Sequence, residues 1–307
     1  MSATTFPSHP GAAVQTSDRL RRAATALGAA ALAAATLLTL SAAPAHAADD
    51  AAAGEVYVAL GDSMASGPLI PTPTGPLACG RSTHNYPHTL AARLNVATFR
   101  DVTCSGADTT DMTNPQKLSL GGVAAGEAPP QFNALTADTT LVTLTIGGND
   151  VGLVGVAQDC MTVNPFATPC KGEFAAEVQR KTAELGPKLA AVLDGIHARA
   201  PKARVLVTGY GAYIKPGGCF PLQPVLNSDA DFLQGSVDAM SAVIAQQAKA
   251  HNASYVDVKT PSAGHDACAA PDKRWLEGYV PTSLAAPLHP NRRGEEAYAG
   301  IIAGQLG

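Results

Sequence analysis

Five short runs rich in apolar and β-branched residues punctuate the chain, at 56–60, 97–103, 141–146, 204–209 and 254–258. Their near-continuous apolar character is that of strands covered on both faces rather than on one. Between and after them lie segments whose apolar positions recur at helical spacing, at 86–94, 173–200, 229–251 and 295–306. Strands alternating with helices in this way predict a parallel sheet with helices on both faces, an α/β/α arrangement. Stretches 68–82 and 118–130 are rich in Pro and Gly and read as loops. With no internal repeat and no break in composition, residues 48–307 read as one domain.

Residues 1–47 stand outside this pattern. Arg19, Arg21 and Arg22 precede an uncharged, alanine-rich run over 23–44, and Ala45-His46-Ala47 follows with small residues at the two positions a signal peptidase reads. This predicts a cleaved signal peptide. A membrane anchor is the rival reading, but alanine partitions poorly into lipid and the cleavage motif follows at once. Removal of the leader leaves 18 basic and 24 acidic side chains, a net charge of −6. That balance gives no electrostatic footprint for nucleic acid or for an anionic membrane. Six cysteines remain, Cys79, Cys104, Cys160, Cys170, Cys219 and Cys268. An even count beyond an export signal, with no C-x-x-C pair, predicts disulfides rather than a metal site, and spacing alone leaves all connectivities open.

The candidate chemistry falls where strands end. Gly61-Asp62-Ser63, with Gly67 four residues on, follows the first strand, and ligands of parallel sheets bind beyond the carboxyl ends of the strands. Read alone, this is equally an ordinary strand-to-helix turn with Ser63 as a cap. Gly147-Gly148-Asn149-Asp150 ends the third run on the same edge. An amide there can donate to an oxyanion, although Gly, Asn and Asp are also common turn residues. Gly106, past the second strand, offers a backbone N–H, or is simply a turn glycine. His289 lies between Pro287 and Pro290 just before the last helix, a loop position ill suited to a core residue. His84 and His88 are spaced i, i+4, yet no third ligand is suggested nearby, so they read as a helix face. His265-Asp266 are adjacent in sequence and are not expected to point at each other.

Together these four pieces resemble the blocks of the SGNH, or GDSL-type, hydrolases, especially the secreted actinobacterial lipases and esterases. Gly61-Asp62-Ser63 with Gly67 is similar to the nucleophile block, Gly106 to the glycine block, Gly147 to Asp150 to the asparagine block, and His289-Pro290 to the histidine block. Their order along the chain and their attachment to successive strands match as well. The resemblance implies a three-layer, flavodoxin-like α/β/α sandwich with a five-stranded parallel sheet. It implies Ser63 as nucleophile, His289 as general base, and an oxyanion hole from the N–H groups of Ser63 and Gly106 and the side chain of Asn149. It implies disulfides Cys79–Cys104, Cys160–Cys170 and Cys219–Cys268. It calls for no metal and no organic cofactor. The expected substrate is a small-molecule ester or lipid, with no nucleic acid partner, no stable membrane insertion and a monomeric state.

One departure stands out. The family places an Asp three residues before its histidine, and here that position is Ala286. Some secreted relatives are similar in using a Ser-His dyad oriented by a main-chain carbonyl, and Pro287 holds Ala286 extended, so the carbonyl of Ala286 is the expected partner of His289. Asp266, Asp257 and Asp272 are the competing carboxylates. A carbohydrate acetylesterase, or a non-catalytic surface protein on the same fold, are the rival functions. The low aromatic content (5%) offers no clear sugar-stacking platform, and Ser63, Asn149 and His289 are all present.

Overall fold

The structure is a computed structural model that describes residues 54–307; the expected leader lies outside the described residues. Five strands, β1 (Val56–Gly61), β2 (Thr98–Asp101), β5 (Leu141–Thr145), β6 (Arg204–Thr208) and β7 (Ser254–Val256), form one parallel sheet in the order β2-β1-β5-β6-β7. Successive side chains of a strand face opposite ways, and β1 uses this to feed two cores. Val58 and Leu60 join Leu144, Leu189 and Ile196 on one face, whereas Tyr57 and Ala59 join Leu90, Leu206 and Ile302 on the other. The first face is covered by α5 (Lys171–Arg199) and α6 (Asn227–Ala250), the second by α2 (Tyr86–Leu94) and α7 (Arg292–Gly304). This is the three-layer α/β/α sandwich that the alternation of strands and helices predicts.

Elements too short to show a periodicity complete the fold: α1 (Ser63–Ser66), α3 (Gly148–Val151) and α4 (Leu153–Asp159), all following carboxyl ends of strands or one another. The stretch expected as a loop at 118–130 is instead mostly an antiparallel hairpin, β3 (Gln116–Leu120) with β4 (Val123–Ala128). Gly121 and Gly122 form its tip, and β4 is exposed at five of its six positions, so no apolar alternation betrays it. The disulfides join Cys79 to Cys104, Cys160 to Cys170 and Cys219 to Cys268.

The sheet order places a switch point between β1 and β5. The chain leaves β1 toward β2 on one side and returns to β5 on the other, so a crevice opens at their carboxyl ends.

Candidate active site

Ser63 opens α1 immediately past β1. The turn is tight: Gly61 has φ +147°, and a Cβ there would stand 2.5 Å from the carbonyl oxygen of Thr145, so a side chain is excluded. Gln131 fixes the turn from the side, its Oε1 accepting from the Gly61 N–H at 2.7 Å and its Nε2 donating to the Gly61 carbonyl at 2.9 Å. Asp62 caps α1 by accepting from the Met64 N–H at 2.9 Å. Burial pushes the Asp62 carboxyl up to about 7, against the lowering effect of its hydrogen bonds from Tyr210 and Met64.

Asn149 sits in α3 at the end of β5, on the same sheet edge. Its Nδ2 donates to the carbonyl of Ala107 at 2.7 Å, bridging the loops after β5 and β2 and leaving its second N–H for another acceptor. Asp150 anchors the same turn by accepting from the N–H and hydroxyl of Thr109 at 3.0 and 2.6 Å. Gly106 adopts φ +82°, which turns the chain after β2. Among the described residues, neither the Ser63 N–H nor the Gly106 N–H donates a hydrogen bond.

His289 is buried against Ser63. Its Nε2 lies 2.7 Å from Ser63 Oγ, and its Nδ1 lies 2.8 Å from the carbonyl oxygen of Pro287. A carbonyl only accepts, so Nδ1 carries the ring hydrogen and Nε2 is left to accept from the serine hydroxyl. Burial lowers the His289 pKa, partly opposed by the Pro287 carbonyl, and so favours the neutral ring.

The carbonyl expected to orient the ring is therefore one residue misplaced: it belongs to Pro287, not to Ala286. Two local features explain the shift. Leu288 takes a left-handed conformation, φ +63°, which folds the chain so that the carbonyl two residues before His289 meets its own ring. The Ala286 carbonyl is already engaged, accepting from the His289 N–H at 3.2 Å. Two of the three competing carboxylates are occupied elsewhere, Asp266 accepting from the Cys268 N–H and Asp257 from the N–H groups of Lys259 and Thr260, and Asp272 makes no hydrogen bond to the ring. Among the described residues no carboxylate hydrogen-bonds to His289, and no cluster of potential metal ligands occurs. His88 faces Asn85 and Asp101, and His265 stacks on Trp275.

Two residues that give no signal in the sequence help to build the site. Tyr210, just past β6, accepts from the Gly148 N–H at 2.8 Å and donates to the Asp62 carboxylate, tying the serine turn to the asparagine turn. Glu277 is wholly buried, and its carboxylate accepts from Thr282, Ser283 and Asn291. Its backbone N–H donates to the His289 carbonyl at 2.9 Å. The loop that carries His289 is thus pinned from within. An isolated Tyr or Glu in a loop carries no spacing that announces such a role.

Beyond Ser63 and His289 a pocket runs over α4 and the loops after β6, with about 770 Å³ of empty space, part of it open to solvent. Its wall is apolar, from Leu153, Val154, Ile214, Val225, Tyr279 and Leu288.

A parallel sheet bearing a serine turn, an asparagine turn and a histidine loop on one edge defines a class, the serine ester hydrolases of the α/β/α type. The chain belongs to the GDSL-like Lipase/Acylhydrolase family, which it matches over residues 59–297. It is 39% identical to Lipase 2 of Streptomyces coelicolor over 285 residues, 88% of this chain and 92% of that protein. Among solved structures it is similar to phospholipase A1 from Streptomyces albidoflavus NA297, with a TM-score of 0.68 and 29% identity over 82% of this chain and 99% of that one. It is also similar to the extracellular lipase of Streptomyces rimosus, with a TM-score of 0.67 and 29% identity over 82% of this chain and 99% of that one.

Proposed function

We propose that the protein is a secreted carboxylic ester hydrolase working through a Ser63–His289 dyad and a covalent acyl-enzyme. The observation that carries this reading is the pair of contacts on one imidazole, Ser63 Oγ at 2.7 Å and the Pro287 carbonyl at 2.8 Å. Ser63 Oγ attacks the ester carbonyl while its proton passes to His289 Nε2, and the Pro287 carbonyl steadies the imidazolium that forms. That proton then goes to the leaving alcohol as the C–O bond breaks, leaving Ser63 acylated. Water attacks the acyl-enzyme, giving one proton to His289, which returns it to Ser63 Oγ as the acid departs. The negative oxygen of each tetrahedral intermediate is held by the Ser63 and Gly106 N–H groups and by Asn149 Nδ2–H, donors aimed at charge that exists only in the transition state. No step needs a metal or an organic cofactor.

The apolar pocket wall favours an acyl chain over a sugar as the group bound beyond the serine. Secretion rests on the leader pattern and on three disulfides that an oxidising compartment would sustain. Among the described residues no helix is long and apolar enough to cross a membrane. A panel of p-nitrophenyl esters from acetate to palmitate, run on wild type and on Ser63→Ala, tests the proposal. Hydrolysis of the longer esters should be lost by at least ~10³-fold in the variant. Equal turnover by the two proteins would sink it.

A further inference from the structure

Three loop segments contribute to the lining of the acyl pocket, 63–80, 216–228 and 278–291, and a fourth, 161–170, pairs with Val225 of that lining; none of the four contains an Asp, Glu, Lys or Arg. In a chain that is 15% charged, segments of this total length would be expected to carry several such side chains. The same four segments hold eight of the ten large apolar side chains that stand exposed among the described residues. Phe166 is 92% exposed and Val163 is 83% exposed, and Leu69 and Leu284 are each 70% exposed. Soluble surfaces do not ordinarily gather so much apolar area without a charge.

The segments form one collar because direct contacts link them to the pocket and to each other. Met161 pairs with Val225 of the pocket wall, and the Thr162 N–H donates to the Pro224 carbonyl, seating the loop of Val163 and Phe166 beside that wall. The Tyr279 N–H donates to Gln223 Oε1, and its hydroxyl to the Ala157 carbonyl, which brings exposed Val280 and Leu222 to the same rim. The Ala286 N–H donates to the Pro68 carbonyl, which carries Leu69 and Leu284 to the side nearest His289. The Cys160–Cys170 disulfide closes the loop that bears Phe166.

We infer that this uncharged apolar collar is a docking surface for a neutral lipid interface, which delivers the acyl chain directly into the pocket it surrounds. The inference rests on the ester hydrolase reading for its purpose but not for its geometry. Commitment to a lipid surface, rather than to a protein partner, comes from the continuity of the collar with an apolar acyl pocket and from its lack of charge. A zwitterionic or uncharged interface presents no net charge to match, whereas a net −6 domain is repelled by an anionic one.

The test uses the full mature chain carrying Ser63→Ala, so that binding is read without hydrolysis, in co-sedimentation with phosphatidylcholine vesicles. Partitioning should be measurable, should fall at least tenfold on adding Val163→Glu and Phe166→Glu, and should not fall on adding Ala97→Glu and Ala250→Glu, both exposed at the amino ends of the strands, opposite the pocket. With Ser63 intact, the Val163→Glu, Phe166→Glu pair should hydrolyse monomeric p-nitrophenyl butyrate within about twofold of wild type but lose at least tenfold on emulsified triacylglycerol. Undiminished vesicle binding by the collar variant, or no vesicle binding by the parent, overturns the inference. Inactivity of wild type on every ester, with vesicle binding intact, would instead overturn the catalytic reading and leave the collar standing.

Discussion

Replacing Glu277 by Gln should loosen the loop that presents His289, and the structure sets the size of the effect. The carboxylate accepts from the Thr282 N–H at 2.6 Å and its hydroxyl at 3.0 Å, from the Ser283 hydroxyl at 2.6 Å and from Asn291 Nδ2 at 2.8 Å. Arg274, itself buried, lies 3.9 Å away as its charge partner. An amide leaves one face of this cluster as a donor pointing at donors. The hydroxyls can rotate to accept, but the Thr282 or the Asn291 N–H cannot, and each buried donor so stranded costs about 1–3 kcal/mol. Loss of the ionic partner of Arg274 adds to this, and breaking a buried pair by removing one member costs about 3–5 kcal/mol in all. At about 2–4 °C per kcal/mol for a domain of this size, Tm should fall by roughly 6–20 °C at pH 7. Burial pushes the Glu277 carboxyl up, but its hydrogen bonds from Asn291, Ser283 and Thr282 outweigh that and hold it below the ordinary value. A depressed carboxylate stabilises the fold above its unfolded pKa of about 4.3 and loses that contribution as pH falls through the folded value. The gap in Tm between wild type and variant should therefore shrink below about pH 4. Thermal melts by circular dichroism measure both, alongside kcat on a short ester, which should drop by roughly 10–100-fold as His289 loses its register. A variant that melts within 2 °C of wild type at pH 7 would show that the carboxylate does not hold this loop.

Three further outcomes follow from the same geometry. Asn149→Ala should lower kcat by ~10²–10³-fold, with a modest loss of stability of about 1 kcal/mol as the Ala107 carbonyl loses its partner; a large drop in Tm with kcat per folded molecule unchanged would make Asn149 a turn residue only. Tyr210→Phe strands the Gly148 N–H and removes a donor from buried Asp62, so both Tm and kcat should fall, and wild-type values for both in thermal melts and ester assays would contradict the bridging role. Because burial lowers the His289 pKa and only the neutral ring can accept the serine proton, kcat/KM should rise with pH to a plateau through an inflection below about 6.5, and an inflection above that value would contradict the burial argument.

The parts of this molecule legible in the sequence were those set by repetition or by steric necessity. Strand and helix positions followed from apolar periodicity, and α2 runs over 86–94 as its spacing predicts. Gly61 is forced by the nearness of the Thr145 carbonyl, so the serine turn announces itself in a short motif. What stayed hidden depends on non-local contacts. The hairpin of β3 and β4 stayed hidden because β4 is exposed at five of its six positions and β3 turns only Gln116 and Leu118 inward, too short an alternation to stand out in a Gly-rich stretch. The sequence points to the carbonyl of Ala286, one residue early, because the left-handed Leu288 is not a residue type that advertises φ above zero. Glu277 and Tyr210 act through partners that are distant in sequence or lie in irregular loops, which no spacing rule reaches.

Acylation of Ser63 with His289 as its base is read most directly by intact-protein mass spectrometry after incubation with a fluorophosphonate. Folded wild type should carry a single adduct, mapped by peptide digestion to Ser63, greatly slowed in His289→Ala and absent in Ser63→Ala. An adduct on any other residue, or equal labelling of Ser63→Ala, would contradict this role of Ser63.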